Sequence, residues 1–193
     1  MKKIIAHVFA VVVMVMSLTS CSYNSIVEAE EQVNAQWAKV ENQYQRRADL
    51  IPNLVSTVKG YASHEASTLE AVVEARSKAT QVTVDAETLN AENLQKFQEA
   101  QGELSLALGK LLAITENYPE LKANENFRDL QAQLEGTENR IATERGRYSE
   151  MVAAYNARIR KFPAVITAKI FGFDVKPQFS AESGTEKAPV VEF

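Results

Sequence analysis

Few residues in this chain have the type and spacing that chemistry requires. His64-Glu65 puts a base beside a carboxylate. A helical zinc pair needs a second ligand four residues on, and that position is Thr68. The pair therefore reads as polar groups on a helix face, not as half of a metal site. Arg46-Arg47-Ala48-Asp49 is the most informative run of charge. Arg47 falls on an apolar stripe, so its spacing points it inward, and an uncompensated buried charge costs about 3–5 kcal/mol. Glu138 lies on or beside the stripe of the last long helix, and Arg145 follows seven residues later. The expectation is an internal ion-pair layer of Arg47, Asp49, Glu138 and Arg145 that fixes helix register. The alternative is that all four face water. The patterns G-x-x-x-x-G-K-[ST], G-x-G-x-x-G and G-x-S-x-G do not occur. No enzyme, metal site or cofactor is expected.

The single cysteine has a different chemistry. Met1-Lys2-Lys3 is basic, and Ile4 to Leu18 is uncharged and mostly apolar. A bilayer-spanning helix needs about 20 apolar residues, so this stretch fits a signal peptide better than a permanent span. Leu18-Thr19-Ser20-Cys21 has the form of a bacterial lipobox, with an aliphatic residue three before the cysteine and small residues between. That reading predicts cleavage between Ser20 and Cys21 and lipidation of the Cys21 sulfur. Residues 1–20 are then a lipoprotein signal peptide. The processed chain keeps one histidine, His64, and is two units more negative than the −4 of the full chain. A net negative chain argues against electrostatic attraction to anionic lipid as the anchor. It also argues against nucleic acid as a partner. The membrane partner is reached through the N-terminal lipid, and one cysteine leaves no disulfide framework.

The elements that position these residues are helices. The chain has 193 residues with only seven glycines and five prolines, too few turn-formers for an all-β fold. Ile26, Val33, Trp37, Val40, Tyr44, Ile51, Leu54, Val58 and Tyr61 recur at the spacing of a helix face, with Arg47 as the polar interruption. Pro52 removes a backbone donor, which predicts a break or kink there. A break makes the pieces comparable in length, so two helices are expected between Asn24 and Thr80, with one kinked rod as the alternative. Gln81 to Glu87 reads as a loop with Asp85 as an N-cap candidate. Leu94, Phe97, Leu104, Leu108, Leu111 and Tyr118 mark the next helix, with Gln101 and Thr115 as polar members. Gly102 and Gly109 are placed to allow close helix approach. Phe127, Leu130, Leu134, Ile141, Tyr148, Val152, Tyr155 and Ile159 mark the last helix, capped by Asn124 or Asn126 and stopped by Pro163. These stripes predict an all-α, antiparallel four-helix bundle of long helices over 21–179. The aromatic segment Phe162 to Phe179 is expected to pack on its end, with a partner or membrane contact as the alternative. Residues 180–193 read as a disordered tail.

Three runs together resemble the LemA family. The first is Arg46-Arg47-Ala48-Asp49-Leu50-Ile51-Pro52-Asn53-Leu54-Val55, followed by Val58-Lys59-Gly60-Tyr61 and His64-Glu65. The second runs from Asn126-Phe127 through Leu134-Glu135-Gly136-Thr137-Glu138-Asn139-Arg140-Ile141. The third is Tyr155-Asn156 with Phe162-Pro163 and Phe171-Gly172-Phe173. The resemblance implies an antiparallel bundle of four helices at a bacterial membrane and no established biochemical activity. Many LemA-like proteins carry an N-terminal transmembrane helix, where this chain carries a lipobox. Arg47, Asp49, His64, Glu65 and Glu138 are its signature or interaction candidates.

The functional expectation is a lipid-anchored, non-catalytic interaction or scaffold module of the cell envelope. It would sit at the cell membrane or outer membrane, with the bundle outside the cytoplasm and an envelope protein as partner. The alternatives are a self-associating structural protein and a ligand- or metal-binding bundle.

Overall fold

The apolar stripe that begins at Ile26 becomes one helix, α1, running from Lys2 to Tyr61. In the computed structural model, residues 22–180 are described in full and 2–21 by their backbone. Five further helices follow: α2 (Ala66–Gln81), α3 (Ala91–Thr115), α4 (Pro119–Ala123), α5 (Glu125–Arg160) and α6 (Ala164–Phe171). Of the tail expected over 180–193, Ser180 is described and hydrogen-bonds to Gln98; 181–193 and the Cys21 side chain lie outside the described residues.

The expected break at Pro52 is not there. Pro52 has no N–H to give to the carbonyl four residues back, which is that of Ala48. The Arg76 Nε of α2 donates to that carbonyl at 2.7 Å instead. The Pro52 ring faces solvent, so it meets no packed neighbour. The freed acceptor thus becomes the point where α2 is tied to α1. The chain breaks later, at Ala62 to Glu65, where Gly60 weakens the preceding turn. His64-Glu65 therefore lies in a turn and not on a helix, as its spacing had suggested.

Caps and stops account for the other ends. Asn90, not Asp85, caps α3, its side chain accepting from the Asn93 amide at 2.9 Å. Asn124 caps α5 in the same way, accepting from Phe127 N at 3.0 Å. Pro119 opens α4 at a position where its missing N–H is harmless. Gly172 closes α6 in the left-handed region, φ 75°, which a side chain would strain. Gly102 and Gly109 allow no close approach: a methyl group on either would meet nothing within 4 Å.

The long helices run antiparallel. α5 lies along α1, α2 packs on both α1 and α3, and α6 touches α1 and α5. Two cores result. One gathers Ile51, Leu54 and Val58 of α1 with Leu69 and Val72 of α2, Leu104, Leu108 and Leu111 of α3, and Phe127 and Leu134 of α5. The other gathers Ile26, Val33, Trp37 and Tyr44 of α1 with Phe97 of α3 and Ile141, Tyr148, Val152 and Tyr155 of α5. α2 ends level with Tyr44 and does not reach this second core. The loop residues Val84 and Leu89 and the segment after α6, through Phe173 and Phe179, take its place.

Candidate functional site

Between the two cores lies a polar layer built around Arg47. The residue follows Tyr44 and precedes Ile51 on the buried face of α1, so helix geometry carries its side chain inward. Only 1% of it is exposed. Its Nη1 donates to Glu138 Oε1 of α5 at 2.7 Å and to Ser105 Oγ of α3 at 2.8 Å. Its Nη2 donates to the side-chain and main-chain oxygens of Gln101. The Tyr44 ring covers the guanidinium, with its centroid 5.1 Å from Cζ. Nε has no protein partner. A cavity of about 40 Å³ adjoins the layer, lined by Tyr44, Gln101, Ser105, Glu138 and Arg145 among others. That is room for about one water, not for a substrate.

The charge balance explains why the arrangement holds. Glu138 neutralises Arg47 but remains 45% exposed on its own side chain. Only one member of the pair thus bears a full desolvation penalty. Gln101 completes the layer by passing a hydrogen bond from its Nε2 to the Ala79 carbonyl of α2 at 3.2 Å. One buried arginine thereby engages α1, α3 and α5 directly and α2 through Gln101.

The other candidates fall elsewhere. Asp49 is not in the layer: it is exposed and accepts from Gln45 Nε2 at 2.8 Å, one turn back along α1. Arg145 lies seven residues, about two turns of α5, beyond Glu138. Its guanidinium lies over the Phe179 ring, 4.5 Å from the centroid, and it also contacts the Tyr44 hydroxyl. His64 is exposed in the turn before α2. Glu65 is half-buried and accepts from Tyr118 Oη at 3.0 Å, joining that turn to the end of α3. Close by, Asn124 Nδ2 donates to Tyr61 Oη at 2.9 Å. Among the described residues, no cluster of three histidine, cysteine or acidic side chains could hold a metal.

Ionisation follows burial. Burial raises the Tyr44 and Tyr148 hydroxyls above their ordinary value and pushes Tyr155 up to about 12. These shifts move the tyrosines away from use as bases near neutrality. Burial, helped by the charge of Asp85, also raises the Glu41 carboxyl.

Several structural residues escaped the sequence reading. Arg76 was one; a proline inside a helix announces an orphaned carbonyl, but nothing local names its donor. Gln36 was another. It sits beside Trp37 at the edge of the stripe, buried, and donates to the Glu144 carboxylate at 2.6 Å and the Glu144 carbonyl at 3.2 Å. Asn156 stands beside Tyr155 in a run where nothing local marks its partner. Its amide clamps the Lys176 backbone in both directions, donating to the carbonyl and accepting from the N–H, each at 2.9 Å.

Comparison with known proteins extends these observations. The chain is 27% identical over 186 residues to Magnetosome protein MamQ 1 and Magnetosome protein MamQ 2 of Paramagnetospirillum magneticum (strain ATCC 700264 / AMB-1). Each alignment covers 88% of this chain and 68% of the relative. Magnetosome protein MamQ of Magnetospirillum gryphiswaldense (strain DSM 6361 / JCM 21280 / NBRC 15271 / MSR-1) is similar at the same identity and coverage. The model of the LemA family matches residues 36–193, a span that includes Arg47, the 62–65 turn, Glu138 and Asn156 but not Cys21. With that match over most of its length, the chain belongs to the LemA family.

Proposed function

We propose that this chain is a lipid-anchored, non-catalytic interaction module of the bacterial cell envelope. The observation that carries the non-catalytic part is the engagement of three of the five candidate side chains, Arg47, Glu65 and Glu138, in contacts between elements. Arg47 and Glu138 join helices in the polar layer, and Glu65 joins the turn at the far end of the bundle. Groups held this way stabilise an architecture and leave surface for partners. The relatives are named for the magnetosome and not for a reaction, which fits the same reading. The anchor rests on Leu18-Thr19-Ser20-Cys21, with Cys21 as the acylated N-terminus at the cell membrane or outer membrane. Several acyl chains on one residue hold a protein to a bilayer stably, where one is marginal. The partner is an envelope protein, reached by the bundle outside the cytoplasm.

The test is labelling of cells with radioactive palmitate. The wild-type chain incorporates label and migrates at the size left after loss of residues 1–20. Cys21→Ser abolishes both. Wild-type chain without label, or a Cys21→Ser chain that still takes it up, overturns the lipid anchor. Crosslinking in intact cells, with the labelled chain as bait, then identifies the partner.

A further inference from the structure

α6 is packed with its large side chains outward. Its buried residues are the small Thr167 and Ala168, with Ala164 half-buried beside them. Its exposed ones are Ile166, Ile170 (66% exposed) and Phe171, and Phe162 just before it is 81% exposed. Ile166 and Ile170 are one turn apart and share an outward face of α6, and Phe162, in the turn that precedes the helix, is exposed as well. The segment Phe162 to Phe179 was expected to pack on the bundle end; Phe173, Phe179 and the small residues of α6 do so, while Phe162, Ile166 and Ile170 remain exposed. Water gains nothing from such a face, and an apolar patch rimmed by polar groups marks a contact.

The rim is basic. From Met151 to Gly172 there is no acidic residue, while Arg158, Arg160, Lys161 and Lys169 are all present and exposed. Acids return beyond the Gly172 end of α6, where Glu30, Glu87 and Asp174 gather, so the excess of cations belongs to the segment 151–172 of a chain whose net charge is −4. The place of α6 in the fold is equally specific. The Tyr23 ring lies against Phe171 and Phe173, with centroids 4.8 and 5.6 Å apart, and Arg158 donates to the Ser25 carbonyl at 2.6 Å. α6 therefore sits where α1 leaves the apolar N-terminal segment. Tyr23 is two residues past Cys21, about 3 Å of helix rise. An acylated Cys21 and a retained Ile4 to Leu18 segment put the bilayer surface at the same height.

We infer that α6 lies in the interface of an anionic bilayer, with Phe162, Ile166, Ile170 and Phe171 among the upper acyl chains and the four cations at the headgroups. This is the geometry of an in-plane amphipathic helix. It gives the bundle a second attachment that fixes its tilt. The inference rests on the membrane-anchored reading above, and the following experiment separates the two.

The mature, lipidated chain is purified from membranes and reconstituted into phosphatidylcholine–phosphatidylglycerol vesicles whose acyl chains carry bromine, which quenches nearby indoles. The wild-type chain has one tryptophan, Trp37, fully buried, and serves as control. The exposed site of Ile170→Trp accepts an indole without repacking. Expected is co-flotation with the vesicles and at least two-fold quenching of the introduced indole, with Trp37 unaffected. Adding Lys161→Glu and Lys169→Glu halves that quenching. Co-flotation with an indole open to acrylamide and not to bromolipid overturns the inference and leaves the anchor standing. An indole shielded from both means protein covers the face, and overturns it too. Quenching unchanged by the two charge reversals overturns the role given to the cations. A chain that fails to float removes the anchor and the inference together.

Discussion

The two halves of the bundle fill similar space by different means. Beyond the Arg47 layer, toward the 62–65 turn, four helices meet and the core is aliphatic, with Phe127 as its fully buried ring. On the Tyr23 side, α2 is missing and the core is aromatic. Trp37 contacts Phe97, Tyr148 and Phe179 at centroid distances of 5.5, 5.4 and 5.9 Å. The difference follows from what replaces the fourth helix. An extended segment has unpaired backbone groups that a helix would satisfy internally, and burying them unpaired is costly. Asn156 answers two of them on Lys176, and Tyr148 Oη donates to the Pro177 carbonyl at 3.0 Å. Lys176 Nζ reaches Glu30 Oε1 at 2.9 Å and ties the same segment to α1. Large rings then span the wider gap that a thin strap leaves. Helix against helix needs only methyl groups at the contact; helix against strap needs rings and polar clamps.

That contrast can be broken at four places. The largest effect is expected at the layer that separates the halves. Glu138→Ala leaves Arg47 buried without its counter-charge and should cost roughly 3 kcal/mol, the low end for a broken buried pair because Glu138 is partly exposed. Urea unfolding measures it, and both halves should loosen together in hydrogen exchange. Phe179→Ala should cost about 2–3 kcal/mol, less than a fully buried ring because Phe179 is half-buried. Its loss should quench the near-ultraviolet dichroism of Trp37 while amides of α2 keep their protection. Arg76→Ala should cost about 1–2 kcal/mol, since it orphans the Ala48 carbonyl, and should act on the aliphatic half alone. In a Pro52→Ala background that cost should shrink, because the restored N–H takes the carbonyl. Gly109→Ala should stabilise by about 0.5–1 kcal/mol, as an exposed helix interior gains from alanine and the methyl meets nothing. A loss there would mean the close helix approach expected from sequence exists after all.

Much of this architecture is legible in the sequence, for a physical reason. Residues such as Val33, Val40, Ile51 and Leu54 are placed by the pitch of a helix, and pitch is local. Asn124 as a cap is local as well. What was not legible depends on contacts between distant segments. Whether Pro52 breaks a helix turned on a donor from Arg76, twenty-four residues later. Spacing put Arg47 inward and Glu138 near it. It did not separate Glu138 from Asp49, because both are acids close to the stripe and only helix crossing decides which meets the guanidinium. The aromatic segment was read as one unit, whereas the structure divides it. Phe173 and Phe179 join the core, Phe171 meets only the Tyr23 ring at its edge, and Phe162, Ile166 and Ile170 stay exposed. Hydrophobicity alone does not tell a residue that fills a core from one that meets a membrane.

The central claim is that Arg47, within the span that matches the LemA family, holds helices together and does not act on a ligand. A double-mutant cycle with Arg47→Met, Glu138→Gln and the pair, followed by urea unfolding, tests it most directly. The account predicts a coupling of about 2 kcal/mol, the scale of a hydrogen bond to a charged group. Additivity within roughly 0.5 kcal/mol would contradict it, since independent residues behave that way.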